Sequence, residues 1–282
     1  MRDASDFDHA PPSHRLGQYR AWRLPARRSA SFDMVWISRA GGREPARHRL
    51  LPHGEPSLAI RRRRDGAGAI ADIALIICGP YRAAGHYAPE PGEELVALRL
   101  KPETAASVFG VAPRDYFGEG CAQAHRMLID ACRNSLNTAE KSAAGDVARA
   151  LIADVNRHAE RRAVEPTPEA AAAELLRKLK GRAAAPALAK HLGVSERQLR
   201  RRFFDRLGYT PKDYARQLRL SAAALDSQRD PAPSWAAIAA QAGFADQAHM
   251  IREFRRLAGV TPAALHRERR ALSEKSNTTL PA

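Results

Sequence analysis

The residues best equipped for chemistry lie in the last third of the chain, at helical spacing. Arg197, Arg200 and Arg201 stand at i, i+3 and i+4, so a helix carrying them presents a cluster of guanidinium forks on one side. About fifty residues further on, Gln247, His249, Arg252 and Arg256 offer amide, imidazole and guanidinium donors from a second such segment. An arginine fork pairs with guanine O6 and N7, a glutamine amide with adenine N6 and N7, and either can hold a phosphate oxygen. A plainer alternative is two solvated helix faces with no partner, since every surface helix has a wet side.

What must position these groups is an internal repeat. LGVSERQLRRRFFDRLGYTP at 192–211 recurs as AGFADQAHMIREFRRLAGVTP at 242–262, with Gly193 matching Gly243, Leu199 Met250, Phe203 Phe254, Gly208 Gly259, and Thr210-Pro211 Thr261-Pro262. The second copy has one extra residue in its turn. Each copy reads as a short helix, a glycine turn and a longer helix. In the first, Leu199, Phe203 and Leu207 form the apolar stripe, Ser195 stands at the N-cap, and Pro186 opens the short helix at its first position. In the second, Ser234 precedes the short helix, Ile238 and Ala242 face inward, and Met250, Phe254 and Leu257 repeat the stripe. The long helices are expected at about 195–206 and 246–257. Between the copies, PKDYARQLRLSAAALDSQ reads as one continuous helix with Tyr214, Leu218, Ala222 and Leu225 as its stripe.

These residues resemble the AraC/XylS transcription regulators over residues 170–270. The signature of that family's second motif is matched by IAAQAGFADQAHMIREFRRLAGVTP, and that of its first by LAKHLGVSERQLRRRFFDRLGYTPKDYARQLRL. The resemblance implies an all-α, seven-helix domain with two helix-turn-helix motifs, bound to double-stranded promoter DNA in a bacterial cytoplasm, with RNA polymerase as a further partner. It places DNA-facing side chains at Arg197, Arg200, Arg201, Gln247, His249 and Arg252; Ser195 and Arg256 join them by position. Two departures stand out: Ala245 where a capping Ser or Thr is common, and Met250 where an aromatic residue is common. Activation and repression are left open.

Charge agrees with a polyanionic partner. The chain carries a net +15, and residues 166–282 hold 21 Lys/Arg against 11 Asp/Glu, an excess of 10; such an excess draws nucleic acid first and anionic membrane second. The three cysteines, Cys78, Cys121 and Cys132, match no zinc or redox spacing, which points to a reducing compartment and buried thiols. The polar start and the lack of any apolar run of 18 residues point to a cytoplasmic protein without a membrane partner.

The fold class expected is α+β. Residues 1–18 read as a flexible arm and 19–162 as an effector-binding or dimerisation domain, β-rich with helices behind it. Residues 163–169 read as a linker, 170–270 as the helical domain and 271–282 as a flexible tail. Strands are expected near Phe32–Ile37, Leu58–Arg62, Ile70–Cys78 and Leu95–Leu100, with a hairpin turning at Asp65-Gly66 and Arg61–Arg64 at a solvated strand end. Helices follow from 104 to 111, 121 to 136 and 143 to 162. LPHGEPSLAI, ICGPYRAAG and ELVALRLKPETAASVFGV resemble cupin-like or related sensor domains, which implies a small-molecule effector, a homodimer, or both.

No cofactor is called for. His48, His53, Glu55 and His86 lack the His-x-His spacing of metal-binding cupins and read as ordinary histidines, so no metal site is assigned. Two other functions remain: a DNA-repair enzyme, which needs a reactive cysteine, and a nucleoid-type binder without sequence preference. None of the cysteines has an adjacent His or second Cys to activate it, and no phosphate loop or nucleophile elbow occurs, so no enzyme is expected.

Overall fold

The computed structural model describes residues 13–14, 17–24, 29–40, 48–111, 119–162 and 167–274. The N-terminal part is built on antiparallel strands. β1 (Ser13–His14), β2 (Gly17–Arg23), β3 (Phe32–Arg39), β5 (Ser57–Arg64), β6 (Ile70–Cys78) and β8 (Glu93–Leu100) form one six-stranded sheet in the order β1-β2-β3-β8-β5-β6, and β4 (His48–Leu50) pairs with β7 (Gly85–Tyr87) in a two-stranded ribbon. The short strand β1 and the start of β2 fall inside the expected arm, because they pair with each other and β2 continues onto β3.

Alternation decides which side of the sheet is buried. Val35 and Ile37, Leu58 and Ile60, and Val96 and Leu98 meet across β3, β8 and β5 with registers Val35↔Leu98, Ile37↔Val96, Leu58↔Leu98 and Ile60↔Val96. Being two residues apart on each strand, they share one face. That face packs into one core with α1 (Pro102–Phe109), α2 (Glu119–Ala131), α3 (Arg133–Lys141) and α4 (Ala144–Glu160). The single helix expected over 121–136 is divided at Cys132, where φ −102° and ψ 19° leave the helical region.

The hairpin between β5 and β6 differs in its turn. Asp65 folds its carboxylate over the loop, accepting from the amides of Ala67 and Ala69 at 2.9 Å each, and the positive φ falls at Gly68 (86°) and not at Gly66. Of the four arginines at this strand end, Arg63 and Arg64 are exposed as expected and Arg61 is half-buried, while Arg62 departs. Arg62 is 1% exposed; its Nε donates to Glu94 at 2.7 Å and its Nη1 to the carbonyls of Ala139 and Ser142 at 3.2 and 2.6 Å. It thus satisfies the carboxylate across the sheet and the open carbonyls at the end of α3 together. Arg61, Arg63 and Arg64 reach Asp72, Glu90 and the Gly68 carbonyl.

Seven helices follow: α5 (Pro168–Lys178), α6 (Ala185–His191), α7 (Glu196–Leu207), α8 (Pro211–Asp226), α9 (Trp235–Gln241), α10 (Gln247–Ala258) and α11 (Pro262–Glu274). Of the expected linker, 163–166 lie outside the described residues, while Thr167 caps α5 and residues 168–169 belong to it. The helix α11 likewise takes in 271–274 of the expected tail, and 275–282 lie outside the described residues. Two further cores serve these helices. α5, α6 and α7 share one with the first half of α8 through Leu176, Leu188, Leu199, Phe203 and Tyr214, and α9, α10 and α11 share the other with its second half through Leu220, Ile238, Met250, Phe254 and Leu265. The stripe expected on α8 holds at Tyr214 and, half-buried against the same core, at Leu218, whereas Ala222 is half-buried and Leu225 is 53% exposed, because the helix rolls to bury Ala215, Leu220, Ala223 and Ala224 against both neighbours.

Two measurements test this packing. Arg62→Ala leaves Glu94 with Arg39 as its cation and takes the donor from two carbonyls inside the protein, and should lower the free energy of unfolding by about 1–3 kcal/mol in urea; a change below ~0.5 kcal/mol would place these groups in effective contact with water. His53 is held below its ordinary pKa of 6.5, first by burial, so below that pH the unfolded chain binds a proton that the folded one resists, and stability falls as pH falls. His158, also lowered by burial, acts in the same sense, whereas Glu93 and Glu103, raised by burial, act in the opposite one. His53→Gln removes one contribution alone, so the stability of the variant relative to the parent should rise steadily between pH 7 and 5. A parallel pair of pH profiles would refute it.

Candidate nucleic-acid interface

The first long helix begins at Ser195, whose Oγ accepts from the Gln198 amide at 3.2 Å while the Ser195 amide donates to Gln198 Oε1 at 3.0 Å. This reciprocal pair satisfies two of the open donors at the helix start. The turn before it reverses at Gly193 (φ 65°), a conformation open to glycine at little cost. Pro186 stands at the second position of α6, one later than expected. Leu199, Phe203 and Leu207 are buried, with the Phe203 ring 6.0 Å from Tyr214. Arg197 and Arg201 are exposed on the other side, and Arg200 and Arg202 are exposed on its two flanks. Phe204, missed by the sequence reading, sits among them: it lies four residues after Arg200 and three after Arg201 and is 43% exposed, an apolar group available to a thymine methyl. Its spacing was the available signal.

The second long helix is built on the same plan with different residues. Its cap is Asp246, whose Oδ1 accepts from the His249 amide at 2.6 Å; the position of Ala245 therefore forfeits no cap, since the next residue supplies it. His249 Nδ1 in turn accepts from the Ala245 amide at 3.2 Å, and its ring meets Phe244 edge-on at 5.6 Å. In the repeat His249 occupies the place of Gln198, and both reach back to the preceding backbone. With Nδ1 accepting, a neutral His249 ring carries its proton on Nε2.

Met250, Phe254 and Leu257 are buried, while Gln247, Arg252 and Arg256 are exposed. At 100° per residue the centre of the outward side falls on Ala248, Arg252 and Arg255, with Gln247 at the edge of the first turn. Arg255, three residues after Arg252, is a second residue the sequence reading passed over, and it too is exposed. Arg201 and Arg252 occupy the same position in the two copies.

Pairing separates these arginines from others. Arg62, Arg99, Arg177 and Arg216 are engaged by carboxylates. Among the described residues, none of Arg197, Arg200, Arg201, Arg202, Arg252, Arg255 and Arg256 has a carboxylate within ion-pair distance. The outward sides of α7 and α10 therefore hold arginines without an ion-pair partner among the described residues, and a polyanion can displace their counterions there.

The residues weighed for other chemistry are placed elsewhere. His48 and His86 lie in the ribbon, paired with Tyr87 and Arg49, and His53 is bridged to Tyr81; among the described residues no three His, Cys, Asp or Glu are grouped to hold a metal ion. Burial pushes the Cys78 thiol up to about 11 and the Cys132 thiol up to about 12, so neither is a ready thiolate near neutral pH. Cys121 lies in α2. No helix among the described residues is long and apolar enough to cross a membrane.

Residues 188–268 match the model of a helix-turn-helix domain. No curated protein matches the chain. Among solved structures, a transcriptional regulator from Chromobacterium violaceum, described among AraC-type DNA-binding domain-containing proteins, is 28% identical over 36% of this chain and 91% of its own, with a TM-score of 0.33. ToxT from Vibrio cholerae is 10% identical over 89% of this chain and 98% of its own, with a TM-score of 0.41. The same protein bound to (E)-4-(8-methylnaphthalen-1-yl)but-3-enoic acid gives 10% identity over the same shares, with a TM-score of 0.42.

Both caps can be tested by stability. Ser195→Ala and Asp246→Ala should each cost about 0.5–2 kcal/mol in chemical denaturation, and Ser195→Gly only a few tenths. Equal losses for Ala and Gly at Ser195 would assign the side chain a role other than capping.

Proposed function

We propose that this chain, whose C-terminal helices form a helix-turn-helix domain of the AraC type, is a sequence-specific transcription regulator that reads promoter DNA with both α7 and α10. The observation that carries the reading is the pair of long helices, each with its apolar side buried in a separate core and its outward side bearing arginines without carboxylate partners among the described residues. Both cores draw on the single helix α8, 16 residues long or about 24 Å, which joins the two units. Two helices so joined suit successive major grooves on one face of the duplex, about 34 Å apart.

In this reading Arg197, Arg200, Arg201, Gln247, Arg252 and Arg256 meet base edges or phosphates, with Ser195 at the mouth of the first helix. His249 contributes through its Nε2 proton. Residues 19–162 form the effector-binding or dimerisation part and 170–270 the DNA-binding part of a cytoplasmic regulator. RNA polymerase, a small-molecule effector and a second copy of the chain are its further partners.

Selection of bound duplexes from a random pool should return a two-part motif of roughly 15–20 base pairs. Because Arg201 and Arg252 hold equivalent places, Arg201→Ala should relax preference in one half only and Arg252→Ala in the other, each by about 1–3 kcal/mol per lost base contact. Loss spread evenly over all sequences would assign both to phosphate, and equal affinity of the parent for every duplex would establish a nucleoid-type binder instead.

A further inference from the structure

The far ends of α7 and α10 are both held by the same piece of the N-terminal part, the β4–β7 ribbon and the residues leading into it. At the end of α7, Arg82 Nη2 donates to the Gly208 carbonyl at 2.7 Å and its guanidinium lies over the Tyr209 ring, 5.7 Å from the centroid. At the end of α10, Arg49 Nη1 donates to the Ala258 carbonyl at 3.1 Å and the Ala84 amide to the Leu257 carbonyl at 2.9 Å. Arg49 Nε also meets Glu268 of α11 at 3.1 Å. Two cations thus cap the two helices where carbonyls are left open and the helix dipole favours positive charge.

The ribbon is itself tied down. At its base the Tyr81 amide donates to the His53 carbonyl at 3.0 Å, and Gly54 lies so close to α8 that a Cβ there would come within 2.6 Å of the Tyr214 ring. Leu51 packs on the core of the second unit. Along α8 alone the two units are joined on one line, about which they can still bend and twist. The ribbon adds a second attachment that touches both units as well as α8, and it opposes such rotation.

We propose that Arg49 and Arg82 are positioning residues for DNA recognition: from one ribbon they hold the ends of both recognition helices and so set the half-site spacing that the protein accepts. This rests on the reading that each helix enters a groove.

The test uses the full chain and duplexes carrying the selected motif, with and without two base pairs inserted between its halves. The insertion turns the second half by about 70° and moves it about 7 Å. In the parent it should cost about 100-fold in affinity, as loss of simultaneous engagement does. In Arg49→Ala/Arg82→Ala that penalty should fall to about tenfold or less, with affinity for each isolated half-site unchanged. Arg49→Lys/Arg82→Lys, which keeps a donor at each end, should restore most of it. Where circular dichroism shows the double variant unfolded, the two single variants carry the comparison, each expected between parent and double. An undiminished penalty would overturn the proposal by showing that α8 suffices, as would an equal weakening on all duplexes, the mark of a merely structural role. A parent indifferent to spacing would remove the two-groove reading itself, and the brace with it.

Discussion

Each long helix can present only one side, and the choice is made by what it must bury. Leu199, Phe203 and Leu207 on α7, and Met250, Phe254 and Leu257 on α10, are withdrawn from water into two separate cores. A full burial contributes about 1.5–3 kcal/mol per side chain, so rolling either helix by one residue sacrifices several kcal/mol, comparable with the whole stability of a small domain. The orientation of the arginines follows from that constraint and needs no interaction of their own.

Part of the remaining charge joins the sheet to the helices. Asp33 and Glu55 meet Arg99, Arg177 of α5 meets Glu103 of α1 and lies 3.8 Å from Asp33, and the Tyr214 hydroxyl donates to Glu55 at 3.5 Å. Arg206 turns away from the outward side of α7 to the Glu103 carbonyl at 3.4 Å. Such half-buried networks hold their geometry because each member left alone would carry a desolvation cost. The guanidinium group of Arg177 is thus paired and enclosed between the sheet and the helices, whereas those on the outward sides of α7 and α10 are exposed with no carboxylate partner among the described residues.

Periodicity made the helical part legible. The stripes at 199, 203 and 207 and at 250, 254 and 257 are local consequences of 3.6 residues per turn, and both glycine turns fell where the repeat placed them. The errors arose where a distant contact decides. Leu225 belongs to the expected stripe of α8, yet α8 rolls to serve two cores at once. Arg62 looks like any arginine at a strand end until Glu94 and the end of α3 arrive from far along the chain. The turn after Arg64 went to Gly68 because the Asp65 side chain closes a wider loop. The hold of His249 Nδ1 on the Ala245 amide is likewise not visible in the donor pattern, and it leaves Nε2 as the ring's donor. Phe204 and Arg255 could have been found by carrying the outward periodicity one turn further.

The division of α8 between two cores bears on how the helical part can be altered. With Tyr214 in one core and Leu220 in the other, there is no loop at which one helix-turn-helix unit ends and the next begins. Exchanging one unit for that of a relative means cutting inside a continuous helix and matching both interiors at once. Units of this kind are better diversified by residue changes on their outer surfaces than by transplantation.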